Sequence, residues 1–255
     1  MIHRKLFWSF FLLSLSFILM MAGLAVSANA PPVIILDPGH GGRDGGAVGV
    51  SGVLEKDLNL DLAKKIAEQL ERAGYQVVLT RTEDDDTDGQ EGFYKRKDIL
   101  ARLALADKYP NCVFLSIHMN SSSSGSDKGF QVFYGKNHSR SRTLAESIYA
   151  SVFQNAEVTR LREVKKAPDT VYLMKTLRVP AVLIECGFIS NKADENLLSD
   201  PSYREKLAYV LYDGIVGYIE RRTDLPAEDD AEDYLSVFSN ILTTSSSHLS
   251  QALTH

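Results

Sequence analysis

Two histidines and a glutamate stand at or just beyond the ends of apolar segments, where turn residues are usual. His118 closes the apolar stretch "VFLSIH", Glu185 nearly closes "AVLIE", and His40 follows the stretch "VIIL" by four residues. If these stretches are neighbouring parallel strands, their carboxyl ends meet at one edge of a sheet, which is where such sheets place their active sites. The sequence therefore predicts that His40, His118 and Glu185 converge on that edge, where they could bind or serve a metal ion.

A catalytic zinc ion takes three protein ligands from His, Glu, Asp or Cys and keeps a fourth position for water. Two histidines leave one ligand to be found, and we expect it to be a carboxylate near the glycine-rich loop around His40. The segment "GVLEKDLNLDL" offers Glu55, Asp57 and Asp61 at the start of a predicted helix. Spacing alone does not choose among the three, because each could equally interact favourably with the helix N-terminus.

Two loops resemble known ligand-binding motifs, one for phosphate and one for calcium, but each lacks a residue that its motif requires. The glycine-rich loop "DPGHGGRDGG", residues 37–46, has Asp44 where a dinucleotide fingerprint needs its third glycine, and it lacks the Gly-Lys ending of a P-loop. The acidic segment "DDDTDG", residues 84–89, matches the first half of a calcium loop, but Lys95 stands where the closing glutamate belongs. We predict no phosphate site in the first and a solvated acidic loop for the second.

The elements that must position these residues alternate between strand and helix. Apolar strands are predicted at "PPVIILDPG", "YQVVLT", "CVFLSIH", "FQVFYG" and "PAVLIECGF", and helices over residues 58–73, 94–109, 141–154 and 201–222. This alternation predicts an α/β fold, a three-layer sandwich in which helices flank a mostly parallel, twisted sheet.

Composition favours one globular domain with appendages. The chain has 255 residues, of which 44% are hydrophobic and 24% charged. Its net charge of -5 lacks the basic surplus that phosphate neutralisation demands, so nucleic acid is not an expected partner.

Both cysteines are predicted to be free and buried. If His118 and Glu185 lie at the same end of adjacent parallel strands, Cys112 is about 20 Å from that end, which is too far from Cys186 for a disulfide.

The two ends of the chain differ from its centre. Arg4 and Lys5 precede an apolar run over residues 6–26, after which "SANAPP" supplies small residues, so residues 1–30 are predicted to be an export signal. Cleavage as a signal peptide and retention as a membrane anchor both stay open, because a run of about 20 apolar residues can also span a bilayer. Residues 31–222 form the predicted catalytic domain, and residues 223–255 an acidic, Ser/Thr-rich tail that is predicted to be partly disordered.

Four segments occur in one order along the chain: "ILDPGHGGRDGGAVG", "LEKDLNL", "LSIHMNS" and "PAVLIECGFISN". Together they resemble the zinc-dependent N-acetylmuramoyl-L-alanine amidases of type 3, which cut bacterial peptidoglycan, over roughly residues 33–222. The resemblance implies that His40, Glu55 and His118 bind zinc and that Glu185 is the catalytic carboxylate. Three of these residues already follow from the strand ends, and the family adds Glu55.

The implied reaction is hydrolysis of the amide between N-acetylmuramic acid and the L-Ala of the stem peptide, by an exported enzyme of the cell envelope or spore cortex space. A single catalytic domain with "RTEDDDTDG" before "YKRKDILAR" is similar to the spore-cortex, germination-specific amidases, whose action allows muramic-δ-lactam to form. The partner implied is peptidoglycan, and an activating protein partner is left open.

Three alternatives stand beside this interpretation. The first is a general cell-separation autolysin of the same activity. The second is a metallo-peptidase that cuts between stem amino acids, although the spacing from His40 to Glu55 is not that of an H-E-x-x-H helix. The third is a non-catalytic peptidoglycan-binding regulator on an amidase fold, which would be expected to have lost a ligand or the catalytic glutamate.

Overall fold

The computed structural model describes residues 30–85 and 95–223. These residues contain six strands and six helices. The strands are β1 (Val33–Pro38), β2 (Val77–Leu79), β3 (Cys112–Asn120), β4 (Gln131–Tyr134), β5 (Lys165–Lys166) and β6 (Ala181–Phe188). The helices are α1 (Glu55–Arg72), α2 (Lys95–Asp107), α3 (Ser141–Asn155), α4 (Tyr172–Thr176), α5 (Lys192–Ser199) and α6 (Pro201–Thr223).

The strands form one sheet in the order β2-β1-β3-β6-β4-β5. β1 pairs in parallel with both β2 and β3, and β3 pairs in parallel with β6. β4 runs antiparallel to β6, and the short β5 pairs in parallel with β4. The predicted mostly parallel sheet is therefore confirmed, and the carboxyl ends of β1, β3 and β6 lie side by side at one edge.

Both faces of this sheet are buried, which explains why its central strands are nearly continuous apolar runs. Ile34 and Leu36 of β1 pack into a core shared with α1, α3 and α6. Ile35, between them, points to the opposite face and packs with residues of α2 and α4. Each such side chain contributes about 1.5–3 kcal/mol when fully buried. The predicted three-layer sandwich is confirmed.

The spacing of apolar residues in helix α1 explains why this segment is helical and which face it buries. Leu58, Leu62, Ile66 and Leu70 recur at the helical period and are all buried. The helix ends where Gly74 takes a positive φ of 88° and donates its N–H to the carbonyl of Glu71.

The long helices agree with the predicted spans within a few residues, whereas α4, α5 and β5 were not predicted. These three elements have five, eight and two residues, which is too short to display a periodic pattern. Asn191 begins α5 by accepting the N–H groups of Ala193 and Asp194 with its side chain.

Several predictions concern residues outside the described ranges. The structure does not describe residues 1–29, 86–94 and 224–255. The predicted signal or anchor, the solvated acidic loop and the tail therefore stay predictions. Of the helices within the described ranges, none is long and apolar enough to cross a membrane. Within the described residues, neither Cys112 nor Cys186 forms a disulfide, and both are buried, as predicted.

Candidate active site

Two histidines and a glutamate meet at the carboxyl edge of the sheet. His40 lies in the turn after β1, Glu55 is the first residue of α1, and His118 is in β3. Nε2 of His40 is 3.2 Å from Oε2 of Glu55, and Nδ1 of His118 is 2.9 Å from Oε1 of the same carboxylate. One ligand atom from each residue lies within 4.8 Å of the other two. The structure thus brings together the three residues that the sequence analysis named as metal ligands.

Glycines allow this close approach. A Cβ atom at Gly39 would lie 2.2 Å from Nε2 of His118, so any other residue would displace that imidazole. At Gly46, φ is +67° and a Cβ would lie 2.6 Å from Oε2 of Glu55. The glycine-rich loop therefore packs its own backbone against two of the candidate ligands.

The Glu55 carboxylate is buried and held on both oxygens. Oε1 accepts the N–H of Met119 at 3.1 Å as well as facing His118, and Oε2 accepts the N–H of Ala47 at 2.8 Å. Burial raises the pKa of Glu55, but the hydrogen bonds and charges of His118 and His40 outweigh it and hold this pKa well below its usual range. Glu55 is consequently ionised at physiological pH, which is the state in which a carboxylate can bind a metal ion.

Asp57 and Asp61, the other two candidates for the third ligand, lie away from the histidines. Asp57 is exposed, and Asp61 forms an ion pair with Arg204 of α6. Among the three, only Glu55 joins the two histidines.

Asp44 supports His40 from outside the cluster. Its Oδ1 accepts the N–H of Gly46 at 3.1 Å, which is an Asx turn, and the same oxygen lies 3.0 Å from Nδ1 of His40. The latter contact is at ion-pair distance without the alignment of a hydrogen bond. Burial lowers the pKa of His40, but Glu55 and Asp44 raise it above its usual value. With Nε2 of His40 directed at Glu55, Asp44 is placed to orient the ring from its other nitrogen.

Glu185 lies beside His118 on the neighbouring strand. The two residues are register partners across the parallel β3–β6 pair, so their side chains leave the same face of the sheet. Oε2 of Glu185 is buried and has no hydrogen-bond partner among the residues that the structure describes. Burial raises the pKa of Glu185 to about 7, with His118 and His40 opposing the shift and Glu55 adding to it.

A polar residue on the apolar stripe of α1 completes the surroundings. Asn59 is fully buried between the positions of the stripe, and its Nδ2 donates to the carbonyl of Gly39 at 3.1 Å and approaches Oε1 of Glu55 at 3.4 Å. It was not singled out from the sequence, although an amide at an apolar position of an amphipathic helix is the signal that could have revealed it.

The donor set fits a zinc ion. Two imidazole nitrogens and one ionised carboxylate are the nitrogen and oxygen ligands that zinc takes at catalytic sites, where a fourth position stays open. Glu185 has a buried carboxylate oxygen that no described residue bonds, and a bound water or substrate proton would satisfy this acceptor.

Fold and site together define a class of protein. A parallel α/β sheet that gathers two imidazoles, an ionised carboxylate and a second carboxylate of raised pKa at one edge is the framework of a hydrolase with a candidate metal centre. Residues 34–216 match the N-acetylmuramoyl-L-alanine amidase family, and the chain belongs to this family. It is therefore an N-acetylmuramoyl-L-alanine amidase that acts on peptidoglycan, which confirms the resemblance and the enzyme class predicted from the sequence.

Known proteins similar to the chain include two enzymes of Bacillus subtilis (strain 168). The chain is 34% identical to the germination-specific N-acetylmuramoyl-L-alanine amidase over 238 residues, which are 88% of this chain and 99% of that protein. It is 38% identical to the amidase LytC over 187 residues, which are 72% of this chain and 35% of that protein.

Solved structures give the same family. The CwlD amidase from Clostridioides difficile, in complex with the GerS lipoprotein, is 36% identical with a TM-score of 0.69, covering 74% of this chain and 98% of that one. The amidase AmiC2 of Nostoc punctiforme is 30% identical with a TM-score of 0.64, covering 74% of this chain and 97% of that one.

Proposed function

We propose that this amidase is zinc-dependent, that His40, Glu55 and His118 bind the zinc, and that Glu185 is the catalytic carboxylate. The observation that carries the proposal is the His-Glu-His cluster, whose candidate ligand atoms lie within 4.8 Å of one another. Next to it is a carboxylate with a buried oxygen that none of the described residues bonds.

In the proposed mechanism of amide hydrolysis, three residues hold the zinc ion and Glu185 transfers protons. An amide is a poor electrophile and neutral water a poor nucleophile, and a bound zinc ion supplies the Lewis acidity that improves both. Glu185 takes a proton from the attacking water and returns it to the departing amine as the carbon–nitrogen bond breaks. A carboxyl whose pKa burial raises to about 7 suits both transfers, because it gains and loses a proton readily near neutral pH.

The bond cut is the amide between N-acetylmuramic acid and L-Ala of the stem peptide. The product expected from peptidoglycan is accordingly the whole stem with a free L-Ala amino terminus. A peptidase that cuts between stem amino acids would release shorter peptides, so the mass of the product separates the two activities.

We further propose that the enzyme is exported and works on the spore cortex, where its product allows muramic-δ-lactam to form. The germination-specific relative is matched over 99% of its length, whereas LytC is matched over 35% of its own. This difference favours the spore role over a general cell-separation autolysin. The proposed organisation is an export signal or anchor in residues 1–30, a catalytic domain in residues 31–222 and a tail in residues 223–255.

The first experiment measures zinc content and activity together. The parent protein should contain one zinc ion per chain, Glu185→Gln should keep the zinc and lose activity on peptidoglycan, and Glu55→Gln should lose both. Glu205→Gln is the matched control, because Glu205 is an exposed carboxylate on α6 that bonds Lys65.

The outcomes separate the alternatives. Full activity in Glu185→Gln would refute the catalytic assignment, and loss of zinc would make Glu185 a ligand instead. A parent that binds muropeptides without zinc or turnover would favour the non-catalytic regulator. The spore role is tested separately, since deleting the gene should abolish muramic-δ-lactam in spore muropeptides, and its persistence would favour the autolysin.

A further inference from the structure

Three successive carbonyl groups at the end of β1, those of residues 38–40, accept hydrogen bonds from two buried arginines. Arg102 of α2 donates from Nη1 to the carbonyl of Pro38 at 3.1 Å and from Nη2 to that of His40 at 2.9 Å. Arg81, just after β2, donates from Nε to Pro38 at 3.0 Å and from Nη2 to Gly39 at 3.1 Å. Two guanidinium groups from separate parts of the chain therefore hold the main chain of the first candidate zinc ligand.

The backbone at that ligand is strained. His40 has a φ of 62°, in the left-handed region that costs a residue with a Cβ about 1–2 kcal/mol. Its φ and ψ relate two peptide planes, one carrying the carbonyl of Gly39 and the other its own carbonyl. Arg81 fixes the first plane and Arg102 the second. Strained conformations of this kind persist only where the surroundings over-determine them.

A lysine at either position could not make all the hydrogen bonds that the arginine makes. Arg81 is 5% exposed and donates to four carbonyl oxygens, since it also bonds Lys56 and Glu83. Arg102 is 4% exposed and, besides its two carbonyl bonds, pairs with Asp37 and Asp98. A planar guanidinium with five N–H donors can serve several acceptors at once, whereas an ammonium group offers only three donors from one point.

We propose that Arg81 and Arg102 are positioning residues that hold His40 in its left-handed conformation and thereby set the zinc affinity of the site. This inference rests on the proposed zinc site. Arg81 bonds the carbonyl before the imidazole-bearing residue and Arg102 the carbonyl after it, so the proposed action is through the main chain on either side of the imidazole.

The test replaces each arginine by lysine and measures zinc affinity directly. Competition with a chromophoric chelator should give a zinc Kd for Arg81→Lys and Arg102→Lys that is about 10–100-fold weaker than the parent value, the range typical when an outer partner of a metal ligand is lost. The visible absorption of the Co²⁺-substituted variants should also differ from that of the parent, because the geometry of the imidazole ligand changes. Circular dichroism and thermal unfolding establish that each variant is folded at the temperature of the measurement.

Arg204→Lys is the matched control. Arg204 is also buried, at 9% exposed, and also combines a main-chain carbonyl, that of Leu198 at 2.6 Å, with a carboxylate, that of Asp61. It bonds neither residues 38–40 nor the zinc ligands, so its loss should lower stability and leave the zinc Kd unchanged.

The outcomes distinguish this inference from the proposed function. If the parent binds zinc and both arginine variants match its Kd within twofold, or if Arg204→Lys weakens zinc equally, the positioning role is overturned. A parent that binds no zinc overturns the proposed site and the inference with it. Should Arg102→Lys fail to fold, Arg81→Lys decides, because it leaves the pair between Arg102 and Asp37 intact.

Discussion

Replacing Glu185 by glutamine should make the metal-free protein more resistant to unfolding at alkaline pH. Burial raises the pKa of this carboxyl from 4.5 to about 7, so the folded state binds its proton more tightly than the unfolded state does. The resulting stabilisation is complete below about pH 4.5 and is lost as the pH rises through about 7. At about 1.4 kcal/mol per pKa unit the upper limit is roughly 3 kcal/mol, and partial solvent access reduces our expectation to about 1–2 kcal/mol.

The assay is urea denaturation of chelator-treated parent and Glu185→Gln proteins between pH 5 and pH 8. The free energy of unfolding of the variant, minus that of the parent, should increase by about 1–2 kcal/mol across this range. Groups that titrate in both proteins contribute to both pH profiles, so the difference largely removes their contribution. Glu205→Gln, which alters an exposed carboxylate, should give a constant difference. Parallel pH profiles for parent and Glu185→Gln would refute the reasoning, because they would mean that Glu185 ionises in the folded protein as it does in the unfolded chain.

Three further predictions concern packing and metal binding. Asp194→Asn should lower the free energy of unfolding by about 3 kcal/mol in a denaturant titration, since the buried carboxylate accepts two main-chain N–H groups at 2.7 Å and a threonine hydroxyl; a change under 1 kcal/mol would contradict this. Gly39→Ala should weaken zinc binding because its methyl group would lie 2.2 Å from the imidazole of His118, whereas Gly45→Ala, whose methyl group meets only leucine carbons at 3.8 Å or more, should bind zinc normally. Zinc at a hundred times its Kd should stabilise the parent by about 2.7 kcal/mol, seen as a higher unfolding temperature, and a ligand-deficient variant should show no such shift.

The location of the site was predictable because it depends on strand ends. Strands rich in apolar residues bury both faces, and a histidine or glutamate at their carboxyl ends has to lie on the functional edge of the sheet. His118 and Glu185 turned out to be direct register partners, as the predicted neighbouring strands required. The choice of Glu55 over Asp57 was not predictable from spacing, because it depends on how α1 enters the fold. Glu55 is the first residue of the helix and points inward, whereas Asp57, two residues later, faces solvent.

The residues that surround the candidate ligands were harder to predict from the sequence. Asp37, at the end of β1, pairs with Arg102 and accepts the hydroxyls of Ser116 and Thr80. Arg81 carries no motif of its own, and only the three-dimensional path of the chain brings it to the carbonyl of Gly39. Such contacts link residues more than 40 positions apart and do not repeat with the period of any helix or strand, so a pattern along the chain does not reveal them.

Two glutamates at one sheet edge receive opposite roles from their surroundings. Glu55 accepts two main-chain N–H groups and faces both imidazoles, and it is the two histidines that hold its pKa low and keep it ionised. Glu185 has a buried oxygen without a partner among the described residues, and burial raises its pKa to about 7. Paired carboxylates whose environments separate their pKa values in this way divide into a fixed charge and a proton carrier. The sequence supplies the same side chain at both positions, and it is the contact with two histidines that lowers the pKa of Glu55, whereas burial raises that of Glu185, as the proposed roles of ligand and proton carrier require.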